Sequence, residues 1–389
     1  MIPVYYDETS EVWKKADVSN VDTNNPWYSY NSTGEYKGRW ANAVTVTSTN
    51  RTKYLNATPG TVIPMDDINT MWVWIPRFNA VTPSNYNGGT QAKPNAINVT
   101  FVKPNETAID AFTFGTKSLS GFWYGKFEMG GALASTCTNE TCNVSNIVVK
   151  PNVSSLRSQK VSSFFYAARS MEQTGNSFGF VSSEVDTHMS KNNEWGAVAY
   201  LTQSIYGRCS NSTTCSEIGI NNNNSFLTGY GAPAGSVTAT PGTYNTTLGK
   251  GASTTGTIYG IYDMSGGAHE YVMGVLADPN GKPRSGYDSS INSGFTGMLK
   301  DGTTYTGIAF PDSKYYNLYT GSSYTGHALT ETNNWYSDTA HFIISISPWF
   351  NRGGYYSYGT NAGVFYFNSN YGGGNSSSDY SSRLVISNK

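Results

Sequence analysis

The sequence has little charge and no long apolar run, and these absences exclude whole classes of function. Only 13% of the residues are Asp, Glu, Lys or Arg, and the formal net charge is −1. Since so few basic residues cannot neutralise a run of phosphates, we expect no nucleic-acid partner. No apolar stretch approaches the length of a transmembrane helix, so we expect no direct insertion of the chain into a membrane.

A secretory signal is also lacking at Met1, where no charged-then-apolar segment occurs. An exported protein would then take its address from a leader or anchor outside this sequence, or from assembly on a larger particle such as a virion. The surface must be built largely from Asn, Ser, Thr and Gly, a composition common in proteins that work outside the cell. We therefore expect an extracellular location.

Residues and motifs that carry catalysis are scarce. The chain has only 4 His, and it has no H-E-x-x-H, P-loop, G-x-S-x-G or dinucleotide-binding motif. A lone histidine such as His269 is more often a satisfied turn or core residue than a catalytic base. We predict that the protein is not an enzyme, and we expect no cofactor and no bound metal.

The four cysteines form two close pairs, Cys137/Cys142 and Cys209/Cys215, and each pair brackets a short polar loop. We predict a disulfide within each pair, which fits an oxidising compartment. A zinc site is one alternative, but the spacings and the lack of a neighbouring His do not match zinc knuckles. Free thiols are the other alternative.

Aromatic residues are plentiful, with 29 Tyr and 9 Trp, so the chain has ample material for a core. Dense apolar runs predict buried strands at 71–75 and 121–129. The segment 258–272 is predicted as a strand, a Gly-rich turn and a strand. Its Asp263 and Glu270 are the carboxylates of most interest, and the plain interpretation is that they fasten a turn.

Two helices are predicted in the middle of the chain. Ser162 or Ser163 is expected to cap the first, over about 164–171. Ser190 is expected to cap the second, whose first turn carries Glu194 at the positive end of the helix dipole. No sequence repeat occurs that would indicate a helical array.

The stretch from Asn351 to Ser382 contains no Lys, Glu, Gln, Met or Trp, although it is rich in Tyr, Ser, Asn and Gly. Free replacement of the adenines in Asn codons, AAC or AAT, yields residues such as Tyr, Ser, Asp, Thr, Gly, Ala and Phe, but never those five. We therefore predict that many Asn codons of this tract have been randomised. The alternative is a Gly-, Tyr- and Asn-rich surface region of an all-β protein.

The residue types of the tract favour binding over catalysis. Tyr offers a large amphipathic surface with few rotatable bonds, while Ser, Gly and Asn supply adaptable hydrogen bonds, as in antibody paratopes. The predicted ligand-binding, diversified positions are Asn351, Tyr355, Tyr356, Ser357, Tyr358, Thr360, Asn361, Tyr366, Asn368, Ser369, Asn370, Tyr371, Asn375, Ser376, Ser377, Ser378, Asp379 and Tyr380. The predicted framework positions are Trp349, Arg352, Gly353, Gly354, Gly363, Phe365, Phe367 and Arg383. Arg352 is expected to lie in a turn and to pair with a carboxylate.

Four segments, taken in order, resemble those of formylglycine-generating-enzyme-like proteins. The sequence GIYDMSGG at 260–267, with EYV at 270–272, resembles their G-x-x-D-M-x-G-N-x-x-E-W-V segment. NEWGAVAY at 193–200 resembles their E-A-E-W-E-x-A helix, and FWYGKFE at 122–128 resembles their opening strand. The final segments R-G-G and F-R-L are matched by RGG at 352–354 and by RLV at 383–385.

The resemblance implies a C-type lectin fold, which is an α+β fold with two helices, twisted antiparallel strands and long loops. It spans roughly residues 110 to 387. We therefore expect a lectin-like ligand-binding domain at 79–389, with its variable region at 349–387, and an N-terminal β-rich accessory segment at 1–78.

One branch of that family comprises variable proteins of diversity-generating retroelements, in bacteria and their phages, which carry the randomised tract on the ligand-binding face. The implied function is a surface-displayed protein that binds a protein or glycan ligand on another cell or surface. The implied location is a bacterial surface appendage or the tip of a phage tail fibre.

Departures from the family argue against catalysis. The oxidase branch needs a late cysteine pair to bind copper, whereas the last cysteine here is Cys215, and Gly267 and Tyr271 stand where that family has Asn and Trp. The E-P-N, Q-P-D and W-N-D triplets of calcium-dependent sugar lectins do not occur. The alternatives are a fixed-specificity adhesin or lectin and a formylglycine-generating-type oxidase.

Overall fold

The chain is an α+β protein with two large sheets and few helices, and the computed structural model describes residues 1–19, 21, 26–369 and 372–389. The strands of the larger sheet are β1 (Ile2–Asp7), β2 (Val12–Lys15), β3 (Asn42–Val46), β4 (Ile68–Pro76), β5 (Gly121–Gly125), β6 (Val185–Met189) and β12 (Leu384–Asn388). The strands of the smaller sheet are β7 (His269–Leu276), β8 (Asn317–Tyr319), β9 (Trp349–Gly353), β10 (Gly363–Asn368) and β11 (Tyr380–Ser382).

The larger sheet has seven strands in the order β6-β12-β5-β4-β3-β1-β2, and all neighbours are antiparallel. Its two central apolar runs agree with the buried strands predicted at 71–75 and 121–129, although β5 already ends at Gly125. Strands β1–β4 come from the segment 1–78, so the sheet is continuous across the expected domain boundary. The division into an accessory segment at 1–78 and a ligand-binding domain at 79–389 stays a prediction.

The smaller sheet has the order β8-β7-β9-β10, and β11 pairs with β7 in parallel beside its first residues. The chain passes from β11 through Arg383 directly into β12 of the larger sheet. Arg383 is fully buried at this junction. Its Nε donates to Glu270 Oε2 at 2.9 Å, and its Nη1 donates to the Gly125 carbonyl at 3.0 Å. One ion pair therefore joins the two sheets.

Four α-helices occur among the described residues: α1 (Arg51–Asn56), α2 (Val161–Ser170), α3 (Asn192–Thr202) and α4 (Thr247–Gly251). α2 and α3 are the two predicted helices, whereas the short α1 and α4 were not predicted. The predicted caps were wrong, since α2 is preceded by Lys160 and α3 by Lys191. Glu194 Oε2 accepts the Lys191 backbone N–H at 2.8 Å, which satisfies the first turn of α3.

None of the helices among the described residues is long and apolar enough to span a bilayer. The structure joins Cys137 to Cys142 and Cys209 to Cys215, the two pairs expected from the sequence. Six two-stranded ribbons complete the described strands: Phe78–Ala80 with Val99–Phe101, Thr113–Phe114 with Lys117–Ser118, Gly130–Gly131 with Ile147–Val148, Cys209–Asn211 with Thr214–Cys215, Tyr230–Gly231 with Gly242–Thr243, and Gly297–Met298 with Thr304–Tyr305.

The segment 258–268 forms turns before β7, so the strand predicted at its start is wrong. Asp263 and Gly266 have φ angles of +62° and +73°, which no strand accommodates. Asp263 does fasten this turn, because its Oδ1 accepts the Gly229 backbone N–H at 2.9 Å and the Asn221 side-chain amide at 2.8 Å. Glu270 does not, because it pairs with Arg383.

Candidate functional site

The C-terminal tract borders an open cleft of about 630 Å³, next to the first residues of β7 and β11. A cleft of this size suits a small molecule or a few side chains of a larger partner. The described residues that line it are His269, Tyr287, Ile291, Ile346, Ser347, Tyr355, Ser357, Tyr358, Gly373, Asn375, Ser377, Asp379 and Tyr380.

His269 and Tyr380 form the most enclosed part of the cleft. They lie opposite each other where β7 and β11 pair in parallel, and their ring centroids are 5.2 Å apart. Tyr380 also stacks on the fully buried Tyr271 at 4.5 Å. Only 3% of His269 and 6% of Tyr380 are exposed, so the sheet and its core hold both rings in place.

One wall of the cleft is the loop that follows β9. Gly353 and Gly354 have φ angles of +81° and +82°, which residues with a side chain rarely adopt, so the sequence Gly-Gly allows the chain to turn here. The loop then brings Tyr355 and Tyr358 to the His269 ring, at centroid distances of 5.6 and 5.2 Å. Both tyrosines are half-buried, so part of each ring is available to a ligand.

A second wall is the loop that precedes β11 and carries Ser377 and Asp379. Backbone bonds to the segment that leads into α2 fix this loop, because the Ser377 carbonyl accepts the Ser158 N–H at 2.9 Å and the Gly374 carbonyl accepts the Val161 N–H at 3.1 Å. The Asp379 carbonyl also accepts the His269 N–H at 2.9 Å. The wall is therefore anchored at several points along its length.

Apolar side chains complete the mouth of the cleft, and sequence reasoning missed them. Ile291 and Ile346 are 38% and 41% exposed, unusual for isoleucine, and Tyr287 lies with them in the lining. No site residue was predicted in the segments that carry them. The available signal was the pair Ile344 and Ile346, two apolar residues separated by one serine just before the tract.

The cleft is neutral apart from one carboxylate. Burial lowers the pKa of His269 to about 3, so its imidazole is uncharged at neutral pH. Burial raises the pKa of Tyr380, and burial together with Tyr356 and Asp379 raises that of Tyr355, so these hydroxyls stay protonated. Among the described lining residues, Asp379 is the only carboxylate and none is Lys or Arg.

His269 is not the satisfied histidine expected from the sequence. Its Nδ1 is buried and has no hydrogen-bond partner among the described residues. Such a group costs free energy in the unliganded protein, since its contact with water has been lost without replacement. A ligand that reaches this nitrogen would recover part of that cost.

The predicted positions divide into three described groups. Those that line the cleft are Tyr355, Ser357, Tyr358, Asn375, Ser377, Asp379 and Tyr380. Those that are exposed or half-buried outside its lining are Tyr356, Thr360, Asn361, Ser376 and Ser378. Those that are buried and do not line it are Asn351, Tyr366, Asn368 and Ser369, although the Tyr366 ring lies directly behind the lining, with its centroid 5.6 Å from that of His269. Asn370 and Tyr371 lie outside the described residues.

Burial of the third group corrects the expectation that it lies on the accessible face. Asn351 is in β9, while Tyr366 and Asn368 are in β10, and every residue of these two strands is buried. Ser369 follows β10, and its hydroxyl donates to the Phe342 carbonyl at 2.9 Å. The sheet is covered on both faces here, so alternation along the strand brings no side chain to solvent. Whether the other positions bind a ligand stays a prediction.

All eight predicted framework positions are buried, and Arg352 shows one departure. We expected a carboxylate partner for it, but its Nη2 donates to the Ala328 carbonyl at 3.0 Å. Its guanidinium also lies over the rings of Trp195 and Phe367, at 5.6 and 5.7 Å from their centroids. Aromatic faces and a carbonyl therefore take the place of the expected ion pair.

Comparison with known proteins identifies no family for this chain. No family model matches the sequence, and no curated protein matches it. The solved structures that show a weak likeness include the U1, M1 and I1 variants of Major Tropism Determinant, each 14% identical over 89% of this chain. The matches cover 72%, 71% and 72% of those chains, with TM-scores of 0.28, 0.28 and 0.27. A likeness at this level supports no conclusion about function.

Proposed function

We propose that the protein is a ligand-binding protein, displayed outside the cell, that binds a partner on another cell or surface. The binding surface is the cleft lined by Tyr287, Tyr355, Tyr358 and Tyr380, which we call the tyrosine cleft. The observation that carries this proposal is the convergence of two loops of the tract on one accessible cleft lined by aromatic rings. The half-buried tyrosines Tyr355 and Tyr358 provide contact area at little entropic cost, because their rings are already held against His269 of the sheet.

We further propose that the frame is a C-type lectin fold of the diversity-generating retroelement type, and that the accessible positions of the tract are diversified. The division of residue types supports this. The buried framework residues Trp349 and Arg383 are large and specific, whereas the walls of the cleft carry Tyr, Ser, Asn and Asp, which adenine replacement in Asn codons can produce.

The binding role can be tested with labelled protein on a panel of bacterial cells, read by flow cytometry. The double variant Tyr355→Ala/Tyr358→Ala is expected to lose binding to any strain that the wild type binds. Each truncated hot-spot tyrosine costs about 2 kcal/mol or more, which is roughly thirtyfold in affinity.

The matched control is Tyr28→Ala, because Tyr28 is a tyrosine outside the cleft with 39% of its surface exposed. This variant should bind as the wild type does. Equal binding by the double variant and the control would contradict the proposal.

Diversification has its own test at the level of the gene. The surrounding locus should contain a second, near-identical copy of the DNA that encodes the tract. Differences between the two copies should fall on adenines of the second copy, and within the codons of accessible positions such as Tyr355 and Asn375. Differences scattered over all four bases would defeat this part of the proposal.

A fixed-specificity adhesin or lectin is the second candidate. This candidate predicts no template copy, and it predicts one defined glycan whose binding survives changes in the tract. An oxidase of the formylglycine-generating type finds no support in the geometry, because all four cysteines are in local disulfides and none of them lines the cleft.

A further inference from the structure

The charge and the aromatic rings of the cleft indicate the chemical class of its ligand. We propose that the cleft receives an organic cation, the ammonium or guanidinium group of a basic side chain on a protein partner. This inference rests on the proposed binding function and goes further by naming the chemical class that the cleft selects.

The first argument is the aromatic lining. Tyr287, Tyr355, Tyr358 and Tyr380 line the cleft together with the neutral His269 ring. Tyr355 lies nearly parallel to His269, with an angle of 20° between the ring planes, whereas Tyr358 meets it at 74°. Rings at steep angles to one another present both faces and edges, and a cation is attracted to the electron-rich faces.

The second argument is charge. Asp379 is half-buried beside these rings, and no Lys or Arg accompanies it in the described lining. The adjoining wall does contain Arg157, but this cation is already engaged. Its guanidinium lies 3.9 Å from the centroid of the Phe226 ring, and its Nη1 donates to the Ser378 carbonyl. The Asp379 Oδ1 accepts the Ser378 hydroxyl at 3.1 Å, but no cation among the described residues forms an ion pair with this carboxylate, so its charge can attract a positive group from outside.

The third argument is the apolar mouth. A basic side chain carries its charge on an aliphatic stem, and Ile291 and Ile346 supply an apolar surface for such a stem at the entrance. A cation with N–H groups could also donate to the Asp379 carboxylate and, in the matching tautomer, to the unpaired Nδ1 of His269. A neutral sugar has no positive group to use this arrangement.

The test compares matched small ligands on the intact chain by ligand-observed NMR or calorimetry. Nα-acetyl-lysine amide, with its side-chain ammonium free, is the cationic probe. Nα-acetyl-norleucine amide is its neutral counterpart with the same aliphatic stem, and Nα-acetyl-glutamic acid α-amide is the anionic probe. We expect the cationic probe to bind about tenfold more tightly than the neutral one, from the ring faces and the carboxylate together. The anionic probe should bind most weakly.

Asp379→Asn should lower this preference about threefold, because it keeps the shape of the side chain and removes its charge. Asp301→Asn is the matched control, since Asp301 is an exposed loop carboxylate outside the cleft lining, and it should leave the preference unchanged. A preference below about twofold in the wild type, or one that Asp379→Asn does not lower, would overturn the inference.

The inference and the binding function fail separately. Loss of cell binding in Tyr355→Ala/Tyr358→Ala, combined with no preference for the cationic probe, would refute the inference and leave the binding function standing. Cell binding that survives the double variant would refute both the inference and the proposed binding function, because the cleft would then not be the binding surface.

Discussion

Replacing Asn351 by Leu is expected to stabilise the protein, although the change removes a polar residue from the tract. Asn351 is completely buried in β9, and neither its Nδ2 nor its Oδ1 has a hydrogen-bond partner among the described residues. Each unpaired buried polar group costs about 1–3 kcal/mol, so the pair costs roughly 2–6 kcal/mol. Leu has the same branching and the same number of non-hydrogen side-chain atoms, but it leaves no polar group unpaired.

The gain will be smaller than that sum. Two methyl groups are bulkier than an amide, and overpacking a closed core costs about 1–3 kcal/mol. We therefore expect Asn351→Leu to raise the free energy of unfolding by about 1–3 kcal/mol. The measurement is urea unfolding of the oxidised protein, with the midpoint compared at an unchanged slope.

Asn42 supplies the matched control, because it is a buried strand asparagine whose amide nitrogen is hydrogen-bonded, although its Oδ1 has no partner among the described residues. Its Nδ2 donates to the carbonyls of Trp40 and Tyr259, at 2.9 Å each. Asn42→Leu leaves both carbonyls without a donor and should lower the free energy of unfolding by about 2–4 kcal/mol. If Asn351→Leu were destabilising by a similar amount, the side chain of Asn351 would have to be satisfied in a way that the structure does not show, and the reasoning would be wrong.

Two further predictions concern buried ionisable groups. The pKa of His269 in the folded protein, about 3, lies below its ordinary value of 6.5, so the stability it contributes is complete above pH 6.5 and is lost as the pH falls towards 3. The urea midpoint of His269→Phe should therefore fall less over this range than that of the wild type or of the exposed control His341→Gln. Glu270→Gln should cost about 3–5 kcal/mol in urea unfolding, because it leaves Arg383 buried without its carboxylate. Burial and nearby carboxylates raise the pKa of Glu128, and no Lys or Arg forms an ion pair with it among the described residues, so Glu128→Gln should change stability by less than about 1 kcal/mol, and equal costs for the two variants would contradict this account.

The helices α2 and α3 and the strand β4 were predictable because dense apolar runs or apolar faces mark them in the sequence. The short helix α1 was not, since Tyr54 is its only buried residue and no apolar face distinguishes it from a loop. The turn that replaces the strand predicted at the start of 258–272 was missed for a different reason. Its positive φ at Asp263 is held by contacts with Asn221 and Gly229, which are distant in sequence.

The candidate site was predictable in part. Tyr355 and Tyr358 follow a Gly-Gly turn, and that local signal places them in a loop. Tyr366 is the same residue type in the same tract, yet it is buried, because it lies in a strand covered on both faces. Residue type alone cannot separate these cases, since the tract lacks the apolar alternation that marks an inner face. The apolar mouth of the cleft, which includes Ile291, depends on tertiary contacts, and no local sequence pattern reveals these.

The most direct test of the central claim is the dissociation constant for one strain's isolated surface partner, measured for the wild type, Tyr358→Ala and Tyr28→Ala by surface plasmon resonance. If the tyrosine cleft is the binding surface, Tyr358→Ala should weaken binding by roughly thirtyfold while Tyr28→Ala changes it by less than about twofold. Equal dissociation constants for the wild type and Tyr358→Ala would contradict the claim.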